Sequence, residues 1–205
     1  MPDFQLEDES LKPVAGFDEA GRGPWAGPVV ASAVILPRDT MPVPLLTKLD
    51  DSKKVRKKAR ETILAELRAV AEIEIGIGIA SPAEIDEFNI LQASMLAMQR
   101  AAEELTIKPA SALVDGNHAP DIPYAVKTIV KGDGRSLSIA AASIVAKVTR
   151  DRIMADLSKK YPGYGWESNA GYGTKEHYNA LLQLGVTPEH RQSFTPIRNL
   201  LTTSS

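Results

Sequence analysis

The chain has 205 residues, a formal net charge of −2 and no cysteine. This length fits one domain, and the lack of cysteine excludes disulfides, thiolate metal sites and a cysteine nucleophile. No apolar run reaches the roughly 18 residues of a membrane span, and residues 1–10 lack the apolar core of a secretory signal. We therefore expect a cytoplasmic monomer that makes no membrane contact.

Positive charge is unevenly distributed along this near-neutral chain. One basic cluster runs from Lys48 to Arg60, and a second contains Lys147, Arg150 and Arg152. Local basic patches of this kind can contact phosphates even when the whole chain is not basic. The alternative is a solvated helix face, which we favour for the outer residues of the first cluster.

The first half of the chain predicts three antiparallel strands. After a partly ordered lead-in at residues 1–13, apolar runs predict strands over 14–18 and 28–36, joined closely enough to form a hairpin. Strict alternation over residues 72–80 predicts a third strand with one exposed face. A loop is expected over 37–44.

Helix signals separate these strands from the second half. Ser52 is the expected cap of a helix from about Val55 to Val70. Ser81-Pro82-Ala83-Glu84 has the pattern of a capping box, with proline at the first helical position. A short helix should follow, and then a longer one from about Asn89 to Glu104.

The second half alternates strands and helices, which indicates parallel pairing. Strands are predicted over 111–114 and 124–130, and a long helix from Ser138 to about Lys160. Beyond Tyr161, loops carry two predicted short helices at 174–184 and 188–192. The expected architecture is α/β, a mixed five-stranded sheet with three antiparallel strands and then two parallel ones. Residues 1–160 would form the main domain and residues 161–205 a small helical appendage.

Acidic residues stand where three apolar strands end. Asp18 and Glu19 follow the first strand, and Asp115 and Asp133 lie beside glycines after the fourth and fifth. Because sites in open α/β sheets lie at the carboxyl ends of strands, these four carboxylates should converge. Such oxygen donors suit Mg²⁺ or Mn²⁺, and two such ions can drive phosphodiester hydrolysis without a protein nucleophile. For Asp18-Glu19 alone, a solvated acidic turn is the simpler explanation.

Two further patterns suggest contacts with phosphate. Gly21-Arg22-Gly23 combines exposed backbone N–H groups with a guanidinium. Ser143, Lys147 and Asp151 recur at spacing four on the long helix, so Ser143 and Lys147 could hold a phosphate from one helix face. From spacing alone, an ordinary polar stripe is about as well supported.

An ordered set of motifs resembles ribonuclease HII, the type 2 ribonuclease H family. The match spans nearly the whole chain, and its order makes it highly specific. Its members are Asp18-Glu19-Ala20-Gly21-Arg22-Gly23-Pro24, Asp51-Ser52-Lys53-Lys54, Asp86-Glu87-Phe88-Asn89-Ile90, Asp115-Gly116-Asn117, Lys131-Gly132-Asp133, residues 141–151, Gly171-Tyr172-Gly173-Thr174 and His190-Arg191-Gln192-Ser193-Phe194.

This resemblance implies a ribonuclease H-like fold and a metal-dependent endonuclease. Its expected substrates are RNA–DNA hybrids and duplex DNA carrying single ribonucleotides, cut to leave a 3′-hydroxyl and a 5′-phosphate. The resemblance assigns metal binding and catalysis to the four acids. It implies that Gly21-Arg22-Gly23 senses the ribose 2′-hydroxyl and that Tyr172 packs on the neighbouring sugar. It also implies substrate contacts for Lys53, Lys54 and Asn89. A sliding-clamp partner is possible, but no docking motif indicates one.

The sequence departs from the family pattern at three positions, none of them an acid: Trp25, Val55 and Ala170. Two rival hypotheses stay open. One is another nuclease or polynucleotide transferase of the same architecture, and the other is a non-catalytic nucleic-acid-binding module with a structural ion site. Of the three histidines, we expect structural roles for His177 and His190, and treat His118 as a candidate helper near the metals.

Overall fold

The computed structural model describes residues 1–203, which form one five-stranded sheet with helices on both faces. The strands are β1 (Val14–Ala20), β2 (Val29–Ile35), β3 (Glu74–Ala80), β4 (Ser111–Asp115) and β5 (Ala125–Ile129). The helices are α1 (Gln5–Asp8), α2 (Val43–Leu46), α3 (Lys57–Ala69), α4 (Pro82–Glu103), α5 (Leu137–Lys160), α6 (Trp166–Asn169), α7 (Lys175–Leu184) and α8 (Thr195–Thr203). No helix in this part of the chain is long and apolar enough to cross a membrane.

The sheet has the order β3-β2-β1-β4-β5, which confirms the predicted mixed architecture. Strands β1, β2 and β3 pair antiparallel, while β4 pairs parallel to β1 and to β5. Strand β1 is central and almost wholly buried. Its carboxyl end therefore emerges beside the carboxyl end of β4, with Phe17 opposite Val114.

Glycines let helix α4 approach one face of the sheet closely. A methyl group on Gly76 would lie 2.0 Å from the carbonyl oxygen of Ala101, and one on Gly78 would lie 1.9 Å from that of Ala97. The glycine side of β3 is consequently its buried side. Ile75 and Ile77, which alternate with these glycines, are partly buried against the opposite helices, and Ile79 is exposed.

Helix α5 crosses the other face just as closely. A methyl group on Gly16 would overlap the backbone of Ser138, and the Ser32 hydroxyl donates a 2.7 Å hydrogen bond to the Ala142 carbonyl. Alanines on this part of α5 are fully buried. Small side chains thus bring the α5 face that carries Ser143 close to the strand end that carries Asp18.

The predicted start of α4 is confirmed in detail. The Ser81 hydroxyl accepts from the Glu84 N–H, and the Glu84 carboxylate accepts from the Ser81 N–H. Helix α4 is broken at Asn89, which has a φ of 67°, so a short helix does precede a longer one. The Asn89 Oδ1 accepts from the Leu91 and Gln92 N–H groups and caps the second part.

Four local predictions are wrong. Ser52 does not cap α3, because Arg56 is the cap residue and the Ser52 hydroxyl pairs with Ser143 instead. Residues 188–192 are not helical, and the last helix begins at Thr195. Helix α1 interrupts the lead-in, held by the buried Glu7 carboxylate, which accepts from Ser136 and Ser138. Helix α2 begins inside the loop expected over 37–44.

The segment after α5 packs around its own apolar cluster. Trp166, Tyr164, Leu181 and Ile197 form it together with Ala26 and Met154 of the main body. These contacts join the C-terminal helices to the loop after β1. The division at residues 160 and 161 stays a prediction.

Candidate active site

The four acids occupy adjacent positions at one edge of the sheet. Asp18 and Glu19 lie near the end of β1, and Asp115 is the last residue of β4. Asp133 lies in a 3₁₀ turn, Gly132–Gly134, which follows β5. The Gly132 N–H donates a 2.6 Å hydrogen bond to the Asp115 carboxylate, which ties this turn to β4. Strand register therefore brings the predicted acids together.

Burial and mutual repulsion raise the pKa values of three of these carboxyls. The pKa of Asp18, which is 6% exposed, lies well above its usual value because of burial and the charges of Glu19 and Asp115. Burial also raises the pKa of Glu19, against the lowering effect of Arg22 at 3.2 Å. Burial, Asp51 and Asp115 raise the pKa of Asp133. These shared effects mean that the acids lie in one electrostatic environment.

Asp51 is an additional acid, which belongs to the Asp51-Ser52-Lys53-Lys54 motif but was not predicted to join the acidic site. Its carboxyl faces Asp133 and raises the pKa of that group by charge and by a side-chain hydrogen bond. The positive charge of Lys53 lowers the same pKa, so Lys53 also lies near Asp133. Lys54 is exposed and pairs with Asp50 at 3.2 Å. Proximity in the fold, rather than the local motif, places Asp51 beside Asp133.

Two buried arginines, Arg150 and Arg191, hold the loop that follows β1. Arg191 donates to the carbonyl oxygens of Gly27, Arg22 and Gly21, the first two at 3.0 and 2.9 Å. Arg150 donates to the carbonyl oxygens of Pro28 at 2.9 Å, Ala170 at 2.9 Å and Ala26 at 3.1 Å. Burial lowers the pKa of Arg150 to about 10 and that of Arg191 to about 9. Both guanidiniums shape the backbone around Gly21-Arg22-Gly23.

Tyr172 lies beside this loop. Its side chain is 47% exposed, and a methyl group on Gly23 would lie 3.6 Å from Cε1 of its ring. The Gly171 carbonyl accepts from the Trp25 N–H at 2.8 Å, and the Trp25 ring covers Gly173. The tryptophan that departs from the family pattern therefore packs directly against the segment that carries Tyr172.

The other predicted substrate contacts have partners within the protein. The Ser143 and Ser52 hydroxyl oxygens lie 2.8 Å apart, and a side-chain hydrogen bond with Ser143 lowers the pKa of Asp18. Lys147 pairs with Asp151 at 2.7 Å. The Asn89 side-chain oxygen caps α4. Substrate binding by Ser143, Lys147 and Asn89 stays a prediction. His118 is exposed, and its proposed role beside the metals also stays a prediction.

The acidic cluster fits hard divalent cations. Within residues 1–203, no three Asp, Glu or His side chains already stand in an arrangement that could hold a metal ion. The donor chemistry nevertheless suits one, because clustered, half-buried carboxylates repel each other and a cation relieves that repulsion. Arg22 offsets part of this charge through Glu19. Asp18, Glu19, Asp115 and Asp133 are the residues that would hold the metal.

The mixed sheet, its flanking helices and the acidic edge beside β1 define a nuclease of the ribonuclease H-like class. The family model of ribonuclease HII matches residues 15–197. The chain is 58% identical to the ribonuclease HII of Paramagnetospirillum magneticum, over 96% of this chain and 97% of that protein. The chain belongs to the ribonuclease HII family, and it is an endonuclease of the ribonuclease H type.

Solved structures agree with this assignment. Ribonuclease H2 from Pyrococcus horikoshii superposes with a TM-score of 0.75 at 28% identity, over 93% of this chain and 97% of that one. The ribonuclease HII in a PCNA complex from Archaeoglobus fulgidus gives 0.73 at 26% identity, over 91% of this chain and 96% of that one.

Proposed function

We propose that this ribonuclease H hydrolyses the RNA strand of RNA–DNA hybrids and also cuts 5′ of single ribonucleotides embedded in duplex DNA. The products would carry 3′-hydroxyl and 5′-phosphate ends. One observation carries the proposal: the four carboxylates at the ends of β1 and β4 and after β5 lie in one site next to the Gly21–Gly23 loop. Hydrolysis and recognition of the sugar would then occur at neighbouring groups.

In this proposal Asp18, Glu19, Asp115 and Asp133 hold two divalent ions, Mg²⁺ or Mn²⁺. The chemistry that such ions supply is activation of the attacking water and stabilisation of the leaving oxygen. Asp18 is the more buried of the two acids on β1, and the Glu19 carboxylate is oriented by a hydrogen bond from Arg22. The chain itself provides no cysteine nucleophile.

Selection of the sugar would depend on the loop and the tyrosine. The Gly21-Arg22-Gly23 backbone would contact the ribose 2′-hydroxyl, the group that distinguishes RNA from DNA. The exposed Tyr172 ring would pack on the adjacent sugar. Lys53, Lys54, Asn89, Ser143 and Lys147 would provide further contacts to the substrate.

We also propose that the protein acts as a monomer in the cytoplasm. A sliding clamp is a possible partner, since the Archaeoglobus ribonuclease HII was solved with PCNA. The interaction of this chain with a clamp is measurable by direct titration.

Cleavage of a labelled duplex that carries one ribonucleotide tests the main proposal. We expect incision 5′ of the ribonucleotide that requires Mg²⁺ or Mn²⁺, and no incision of an all-DNA duplex of the same sequence. Asp18→Asn should abolish incision without loss of the fold. Cleavage of the all-DNA duplex would favour a different nuclease, and binding without cleavage would favour a non-catalytic module.

A further inference from the structure

Two histidines form a buried pair behind the Tyr172 backbone. His177 is 0% exposed and His190 is 1% exposed, and their Nε2 atoms lie 3.0 Å apart. Trp25, Tyr164 and Trp166 surround the two rings. The pair joins helix α7, which contains His177, to the connection between α7 and α8, which contains His190.

The neighbours of these rings determine where each proton lies. The His177 Nδ1 is 3.0 Å from the Tyr172 carbonyl oxygen, which can only accept, so Nδ1 carries a proton. The Thr187 N–H donates to His190 Nδ1 at 2.9 Å, so that nitrogen is unprotonated. In the neutral pair, His190 Nε2 therefore donates to His177 Nε2, which also accepts from the Trp166 indole at 3.1 Å.

Neutral rings are required by this arrangement. Burial and the neighbouring His177 lower the pKa of His190 to about 4, and burial lowers the pKa of His177. A second proton on either ring would place two donors face to face. The result is one ordered chain of hydrogen bonds from Thr187 through His190 and His177 to the Tyr172 carbonyl.

This series of hydrogen bonds ends on Tyr172, the residue that the proposed function uses to recognise the sugar. The Tyr172 carbonyl also accepts from the Thr174 N–H at 2.8 Å, and the Tyr172 N–H donates to the Asn169 carbonyl at 2.9 Å. Its main chain is therefore fixed on both sides, while its ring is exposed beside Gly23. A shift of this backbone would move the ring relative to the loop.

We propose that His177 and His190 are positioning residues whose ordered hydrogen bonds set the backbone of Tyr172 and thereby the enzyme's selection of the ribonucleotide junction. The proposal rests on the proposed function for its catalytic consequence. Both histidines are buried, so the pair would act through the Tyr172 carbonyl rather than by touching substrate.

Nitrogen NMR of the full-length enzyme tests the proton order directly, and three histidines make assignment tractable. We expect the Nδ1–H tautomer for His177 and the Nε2–H tautomer for His190 at neutral pH. An Nε2–H tautomer at His177 would overturn the proposal. So would an unchanged Tyr172 carbonyl carbon shift in His177→Phe, which lacks the donor.

Kinetic measurements test the effect of the histidine pair on substrate selection. Loss of one buried hydrogen bond should lower kcat/KM for a single-ribonucleotide duplex about tenfold in His177→Phe, with a smaller effect on a continuous hybrid. His177→Asn, whose amide can replace the Nδ1 donor, should recover part of that loss. The neighbouring exposed Tyr178→Phe is the matched control and should match wild type.

Equal losses on both substrates, or no recovery in the asparagine variant, would overturn the positioning role. If wild type cleaves neither substrate, the proposed function fails. The histidine tautomers and the Tyr172 carbonyl carbon chemical shift would still show whether the ordered hydrogen bonds exist and hold the Tyr172 backbone. If His177→Phe does not fold, the wild-type tautomers and the His177→Asn kinetics decide it.

Discussion

The guanidinium of Arg191 donates a 2.9 Å hydrogen bond to the main-chain carbonyl of Arg22, 169 residues earlier in the chain. The Arg22 side chain is directed elsewhere, to Glu19. One arginine thus fixes the backbone of the loop while the other balances an acid of the site. The shape of the loop and its charge depend on different residues and can be tested separately.

Arg191→Lys should weaken both stability and substrate selection. A lysine ammonium cannot reproduce the planar fork that contacts Gly21, Arg22 and Gly27, so buried carbonyls lose their partners. We expect a loss of about 2–4 kcal/mol in the free energy of unfolding, measured by urea denaturation. Arg198→Lys, at an exposed site, is the control and should stay within about 0.5 kcal/mol. Equal effects would contradict the anchoring role.

Gly21→Ala should cost more stability than Gly116→Ala. Both glycines have positive φ, 100° and 96°, so both substitutions add backbone strain of about 1–2 kcal/mol. At Gly21 the new methyl group would also lie 2.0 Å from Nε of Arg150, whereas Gly116 has no such neighbour within 4 Å. Thermal unfolding of the two variants isolates the clash, and similar melting temperatures would show that Arg150 moves aside freely.

Asp18→Asn should stabilise the metal-free protein. A buried acid whose pKa is raised holds more protons folded than unfolded, so its contribution to stability falls as pH rises above about 3.8. Near neutral pH the neutral amide avoids this penalty, and a gain of about 1 kcal/mol would raise the Tm by about 2–4 °C. Mg²⁺ or Mn²⁺ should raise the Tm of wild type more than that of the variant. A lower Tm in metal-free Asp18→Asn would refute this account.

Tyr172→Ala should reduce preference for a single embedded ribonucleotide more than it reduces duplex affinity. The ring is exposed beside Gly23, so its removal takes away a contact surface without leaving a core cavity. Cleavage rates on duplexes with one ribonucleotide, compared with binding by fluorescence anisotropy, measure the two effects. Tyr178→Ala on α7 is the control, and equal loss of preference and affinity would exclude the sugar-contact role.

His190 should make the protein sensitive to mild acid. Because its pKa is lowered from 6.5 to about 4, the unfolded state binds the proton more readily in this window. The stability contributed by the neutral ring is therefore present above pH 6.5 and is lost as the pH falls toward 4. The Tm of wild type should drop more across this window than that of His190→Gln, and parallel profiles would exclude His190 as the cause.

The sequence by itself determined the sheet and the positions of the four acids at or just after its strand ends. Two apolar runs end at Asp18-Glu19 and at Asp115, and a third ends shortly before Asp133. Each predicts a strand with an acid at its end from local sequence, because a buried strand and its polar terminus are adjacent in the chain. The capping box at Ser81 and the break at Asn89 are equally local. The tertiary structure alone decided which side of β3 is buried, since glycine packing depends on the backbone of α4.

The tertiary structure also decided what supports the site. Arg150 and Arg191 resemble other basic residues in the sequence, and no periodicity marks Asp51 or pairs His177 with His190. Their roles arise from contacts between segments far apart in the chain, where burial turns an ordinary side chain into a loop anchor or an ordered hydrogen-bond partner. Strand-end carboxylates can be predicted from neighbouring residues, but the groups that orient them and shape the adjacent loop depend on packing.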